Sequence, residues 1–257
     1  HMEAGNRCFD ANVPEETNRR LVDHTADFNL AYTEHARRNL LGEGLHAQRV
    51  LVTGSPMREV LGLYRGQIDA SDALAELGVE GGQYFLVSAH REENVDNPER
   101  LAQLVAALSA VAAKWGLPVL VSTHPRTRKR LEAGGDLEFD PLVRFHPPFG
   151  FLDYNKLQLE SACVLSDSGT IAEESTMLGF PAVTLRGAIE RPEALDTGSI
   201  TMVDVAPETV VAGVEFAMAR GPNPQTPADY CVTNTSERVV NFIISTVPQH
   251  KQWSRLR

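Results

Sequence analysis

The sequence predicts an α/β protein of doubly wound type, with parallel strands covered by helices on both faces. Two observations carry this. Short runs that are apolar throughout, such as "YFLVSAH" (84–90) and "PVLVSTH" (118–124), alternate with longer segments whose apolar residues recur at three- and four-residue spacing. Strands apolar on both faces belong to parallel sheets buried between helices. A third observation is the punctuation, because cap residues and glycines fall at the joints between the two patterns.

The elements follow in order. "FNLAY" (28–32) reads as a strand, followed by a helix from Thr33 as N-cap to a stop at Gly44. "RVLVTG" (49–54) is the next strand, with Ser55 capping a helix that has Pro56 at its first position. After "YFLVSAH" comes "NPERLAQLVAALSAVAAKWG", a long amphipathic helix. "PVLVSTH", "VRFHP" (143–147), "CVLSD" (163–167), "PAVTL" (181–185) and "TMVDV" (201–205) continue the strands, with helix-like stretches between them. "PETVVAGVEFAMA" and "TSERVVNFIISTV" close the chain as helices.

Composition bounds the function. The chain has 257 residues and a formal net charge of -10. Phosphate neutralisation needs a basic surface, so this charge argues against a nucleic-acid binder. No apolar run approaches the ~20 residues that span a bilayer, and no secretory pattern is present. Cys8, Cys163 and Cys231 are odd in number and far apart, which reads as reduced thiols in a cytoplasmic protein. No HExxH or clustered Cys/His spacing suggests a metal.

In open α/β sheets, ligands bind outside the carboxyl ends of the strands. Three strand ends carry polar clusters: His90 with Arg91, Glu92 and Glu93; His124 with Pro125 and Arg126; Asp167 with Ser168, Gly169 and Thr170. Parallel strands put all three on one edge. The "DSGT" turn opens a helix whose free N–H groups and dipole suit a phosphate. It also reads as a plain N-cap turn, with Glu173 and Glu174 offsetting the dipole. Arg191, between Glu190 and Pro192, pairs either with Glu190 or Glu193 or with an anionic ligand. Near the start, Pro14 opens a helix and Glu15 and Glu16 suit its first turn, where Glu16 reads as solvated. Glu3 lies where a strand should end.

The segments "HMEAGNR", "PEETNRRLVDH", "TGSPM", "SAHREENVD", "STHPRT", "SDSGTIAEES" and "ERPEA" occur in this order. Together they resemble the non-hydrolysing UDP-N-acetylhexosamine 2-epimerases over essentially the whole chain. "HMEAGNRCFD", "SAHREENVD", "FLDYNKLQ" and "SDSGT" are most similar to the branch that makes UDP-N-acetyl-L-fucosamine from UDP-2-acetamido-2,6-dideoxy-β-L-talose. The UDP-GlcNAc/UDP-ManNAc branch typically has "DSGG" in place of "DSGT". Gly187 and Ile189 depart from the fucosamine branch, so the sugar stays open between the two.

The resemblance implies two Rossmann-like domains of GT-B type, with the nucleotide in the cleft between them. The first domain would be represented only by its C-terminal portion, since the family's "GTRPE" and "GDT" segments do not occur here, and His1 and Met2 would be native residues of the family motif. The expected division is 1–56 for that remnant, 57–230 for the UDP-binding domain, and 231–257 for a C-terminal helix packing back on the first. The family reaction eliminates UDP to give a 2-acetamidoglycal and then re-adds it. Glu3, Glu15 and His90 match catalytic positions. Ser168, Gly169 and Thr170 match the diphosphate loop, Glu174 the ribose-binding glutamate, Arg191 a cleft arginine, and Tyr154 an aromatic beside uracil. No cofactor or metal is required. A UDP-sugar is the expected partner, with no nucleic acid and no membrane, and a homodimer is the expected assembly. A GT-B-like glycosyltransferase and an inactive UDP-binding fragment are the competing readings.

Overall fold

The computed structural model describes residues 1–11, 13–133, 138–221 and 225–253. The chain divides into two compact units. One comprises His1–Leu63, Ala188–Thr197 and Thr226–Arg257, and the other Tyr64–Gly187 and Gly198–Gln225.

In the first unit, β1 (Asn29–Ala31) and β2 (Val50–Val52) pair in parallel, and Met2 bridges to Leu30 in the same sense. The fully buried β1 backs onto the helix Glu34–Gly42, whose Ala36 and Leu40 join Ala4, Ala31, Leu45 and Val50 in a small core. Thr33 caps that helix, its hydroxyl accepting from the Ala36 N–H at 3.3 Å. The helix ends at Gly42, and Gly44 takes φ +90° just beyond it. The helix Met57–Asp69 begins one residue after Pro56, and the Ser55 hydroxyl accepts from the Met57 N–H at 3.1 Å. The helix Thr235–Thr246 is anchored by the Thr235 hydroxyl, which donates to the Thr53 and Ser55 carbonyls. "TSERVVNFIISTV" does not end the helical structure. A 3₁₀ turn, Val247–Gln249, and a short helix, His250–Trp253, follow it. Pro248 has no N–H to continue the α ladder, so the chain tightens there before resuming.

The second unit is a six-stranded sheet. Its strands are β3 (Phe85–Ser88), β4 (Val119–Ser122), β5 (Val143–His146), β6 (Cys163–Ser166), β7 (Ala182–Leu185) and β8 (Thr201–Val203). The order is β5-β4-β3-β6-β7-β8, and every pairing is parallel. The eight apolar runs read from the sequence thus all appear as strands, two in the first unit and six in the second. The continuous apolar character of β3, β6 and β7 matches their burial on both faces. The helix Pro98–Trp115 buries seven residues, Leu101 to Ala112, and the Asn97 side chain accepts from the N–H groups of Glu99 and Arg100. With the helix Pro207–Arg220 it encloses a core running from Phe85 to Ala217.

From β3 the chain winds outward to β4 and β5, then returns to lay β6 on the other side of β3. The boundary between β3 and β6 is therefore the topological switch point, where α/β sheets leave a crevice at their carboxyl edge.

Candidate functional site

The switch point collects most of the residues singled out in the second unit. Ser88 pairs with Ser166 at the ends of β3 and β6, so His90 and the "DSGT" turn leave neighbouring strands. Asp167 is fully buried between them. Its carboxylate accepts from the His90 N–H (2.9 Å) and the Arg91 N–H (2.9 Å), and from Asn94 Nδ2 at 3.0 Å. Hydrogen bonds to a buried anion are strong, so Asp167 fixes the backbone from which the exposed His90 ring projects. His90 Nδ1 lies 3.6 Å from Asp167 Oδ1, and the His124 ring centroid is 5.9 Å from that of His90.

The "DSGT" turn is internally braced. Ser168 Oγ lies 2.9 Å from Thr170 Oγ1 and accepts from the Thr170 N–H at 3.3 Å. Thr170 stands at the N-cap of the helix Ile171–Leu178 without a side-chain cap bond. Ser168, Gly169 and Thr170 are partly exposed, whereas Glu173 and Glu174 in the first turn are buried. Glu174 Oε2 accepts from Gln158 Nε2 at 2.7 Å. Tyr154 lies one helical turn before Gln158 on Phe151–Glu160, so the two share a helix face. The Ser88 and Ser166 hydroxyls hydrogen-bond its phenol, and burial beside Glu174 pushes that phenol well above the usual tyrosine range. Of the nine residues read as site positions, the second unit brings together His90, Tyr154, Ser168, Gly169, Thr170 and Glu174.

Glu3, Glu15 and Arg191 belong to the first unit. Glu3 occupies the left-handed region, with φ +62°. Its Oε1 accepts from Arg191 Nη2 at 2.7 Å and from Asn6 Nδ2 at 3.2 Å. Arg191 is buried and ion-paired with Glu3, a partner that its neighbouring residues in the sequence do not signal. Glu190 pairs with Arg19, and Glu193 accepts from the Thr33 and Tyr230 hydroxyls. Glu15 is exposed on the first turn of Pro14–Thr25. Glu16, read as solvated, is instead buried, which corrects that expectation. Its carboxylate accepts from the Cys8 N–H at 3.0 Å and from Arg20 Nε at 3.0 Å. Burial raises the Glu16 carboxyl, but these donors outweigh it and hold the group below the usual glutamate range.

Under the Glu3 loop lies an ionic network. The fully buried Arg7 meets Asp23 at 2.7 Å and grips Glu43 through Nε and Nη2, both at 2.7 Å. Burial lowers the basicity of the guanidinium, but the hydrogen bonds to Glu43 and Asp23 reverse that and keep it charged. Arg7 in turn holds the Glu43 carboxyl down at about 2.

A family model described as UDP-N-acetylglucosamine 2-epimerase matches residues 1–244. The chain belongs to this family. The UDP-N-acetylglucosamine 2-epimerase of Methanocaldococcus jannaschii is 33% identical over 250 residues, which are 95% of this chain and 68% of that protein. A solved structure of the M. jannaschii enzyme in complex with UDP-GlcNAc and UDP superposes with a TM-score of 0.88 at 32% identity, over 95% of this chain and 68% of that one. The structure of the UDP-N-acetylglucosamine 2-epimerase from Rickettsia bellii gives a TM-score of 0.88 at 40% identity, covering 97% of this chain and 67% of the other. The UDP-2,3-diacetamido-2,3-dideoxy-D-glucuronate 2-epimerase of Pseudomonas aeruginosa is 32% identical over 86% of this chain and 60% of that protein. The chain thus spans about two thirds of the length of its epimerase relatives.

Membership in the epimerase family makes the chain part of an isomerase lineage and accounts for its parallel α/β architecture. The sugar is not common to the relatives, whose names differ at that point. Among the described residues, no helix is long and apolar enough to cross a membrane. Asp167 stands out in the sequence only as a polar strand end with no role of its own, and Gln158 does not stand out at all. The signals that could have found them are an acid ending an apolar strand before Ser-Gly and, for Gln158, the spacing from Tyr154.

Proposed function

We propose that this chain acts in the C2 epimerisation of a UDP-N-acetylhexosamine, by elimination of UDP to a 2-acetamidoglycal followed by re-addition. What carries the reading is the crowding of anion-ready groups at the β3/β6 switch point of a chain in this family. The partly exposed Ser168–Thr170 turn opens a helix, and the exposed His90 stands beside it on backbone pinned by Asp167.

In this reading the diphosphate meets the first N–H groups of Ile171–Leu178, the Ser168 and Thr170 hydroxyls, and the backbone at Gly169. His90 faces the bond that breaks between C1 and the UDP oxygen. A carboxylate offers several lone pairs, so Glu174 can accept ribose hydroxyls as well as Gln158. Tyr154 borders the base. Glu3 and Glu15 are the proton-transfer groups. One removes the C2 proton as the C1–O bond breaks and UDP leaves with the bonding pair. The other supplies a proton to the opposite face of C2 as the UDP oxygen returns to C1. Proton transfer by a positioned side chain contributes about 10²- to 10⁴-fold, and stabilising the departing diphosphate supplies a further electrostatic share. Arg191 neutralises Glu3 between turnovers and sets its orientation.

Two substrates fit the motifs. The names of the M. jannaschii and R. bellii relatives favour UDP-GlcNAc, and the "DSGT" turn favours UDP-2-acetamido-2,6-dideoxy-L-talose. Incubating the chain with each in deuterated water tests both levels of the reading. Deuterium at C2 of one sugar supports the mechanism and names the substrate. No incorporation from either, with UDP binding intact, overturns the epimerase reading in favour of nucleotide binding alone.

A further inference from the structure

We propose that Asp23 is the positioning residue for Glu3, a role that rests on the reading of Glu3 as a proton-transfer group. Glu3 adopts a backbone conformation that L-residues rarely visit, with φ +62°. Such a residue persists only where its surroundings over-determine it. β1 grips both sides of it, since the His1 carbonyl accepts from the Leu30 N–H at 2.8 Å and the Ala4 N–H donates to the Leu30 carbonyl at 3.2 Å.

A single carboxylate does the rest. Asp23 lies on the inward face of Pro14–Thr25 and is completely buried. Its Oδ1 is 2.6 Å from His1 Nδ1. Its Oδ2 accepts from the Gly5 N–H at 3.2 Å and lies 2.7 Å from Arg7 Nη1. Asp23 therefore ties down residues before and after Glu3 at once. Asn39 Nδ2 also donates to the Gly5 carbonyl at 3.0 Å. Between these anchors the chain has one path, and that path presents the Glu3 carboxylate to Arg191 and Asn6. A buried Asp–Arg pair serving stability alone would not need to reach His1 and Gly5.

The test is Asp23→Asn in the full chain, which keeps the shape and removes the charge. Two readouts separate positioning from mere stability. The Gly5 amide should exchange with solvent about 10- to 100-fold faster, the equivalent of one lost hydrogen bond to a charged group. The kcat for C2 hydrogen exchange should fall with KM unchanged, and adding Asp23→Asn to Glu3→Gln should cost nothing further. A variant with a lowered melting temperature but wild-type Gly5 exchange and kcat overturns the proposal. Asn39→Ala, which loosens the same loop without touching the Asp23–Arg7 pair, should shift both readouts in the same direction. If Asp23→Asn fails to fold, an unchanged Asn39→Ala overturns the proposal instead. If the wild-type chain exchanges no C2 hydrogen, the catalytic reading of Glu3 fails separately, and the Gly5 amide alone decides whether Asp23 holds the loop.

Discussion

Arg191 Nη2 donates to Glu3 Oε1 at 2.7 Å, joining two residues 188 positions apart within one compact unit. The arginine is buried, and its partner, at 42% side-chain exposure, is the more open of the two. A carboxylate so held is oriented without being shut away, which suits the proton-transfer role proposed for it.

Glu3→Gln should therefore remove the proton-transfer group proposed at this position while leaving the shape. The rate of C2 deuterium incorporation is expected to fall by about 10²- to 10⁴-fold. UDP affinity, measured by calorimetry, should not change. A loss of UDP binding in step with activity would show that Glu3 serves the nucleotide instead.

Glu174→Ala probes the other unit. If Glu174 accepts the ribose hydroxyls, UDP affinity should drop by about 10- to 100-fold, the range for a hydrogen bond to a charged group. The affinity for 2′-deoxy-UDP should drop less. Equal losses for both nucleotides would move Glu174 from ribose recognition to bracing Gln158.

Gly5→Ala tests the loop backbone. Gly5 has φ +84°, and a Cβ there would lie 2.2 Å from the Ala36 carbonyl oxygen. Urea denaturation should show a loss of about 2–4 kcal/mol. Gly62 lies within the helix Met57–Asp69, where a Cβ meets nothing within 4 Å. Gly62→Ala should instead stabilise by about 0.5–1 kcal/mol.

The Arg7–Glu43 pair makes a pH prediction. The Glu43 carboxyl is depressed from 4.5 to about 2, chiefly by the Arg7 hydrogen bonds. A depressed acid stabilises the fold above its unfolded value and loses that contribution as protons return to it. Stability from this pair should be complete above about pH 4.5 and vanish as the pH falls toward 2. In Glu43→Gln, the fall in melting temperature over that window should be shallower.

Much of this was legible in the chain. Apolar runs located the strands, and Thr33 was read as a cap where its hydroxyl accepts from Ala36. The polar strand ends at His90, His124 and Asp167 pointed to one edge of the sheet. Local patterns encode local geometry, and each of these features lies within a few residues of its cause. Glu15 and Glu16 show where this stops. Adjacent positions in a first helical turn look alike in sequence, yet Glu16 is buried under the Cys8 turn and Glu15 is open to solvent. The difference depends on a segment eight residues earlier folding over one face of the helix.

Spacing was thus sufficient for the α/β class and the run of strands, because burial imposes a period on the residues that carry it. Which elements become neighbours has no such signature. The tertiary fold alone laid β6 beside β3, brought Asp167 to the His90 N–H across 77 positions, and placed Ala188–Thr197 in the first unit, so that Arg191 meets Glu3. A side chain's periodic position tells it which way to face, but its partner is set by the path of the whole backbone.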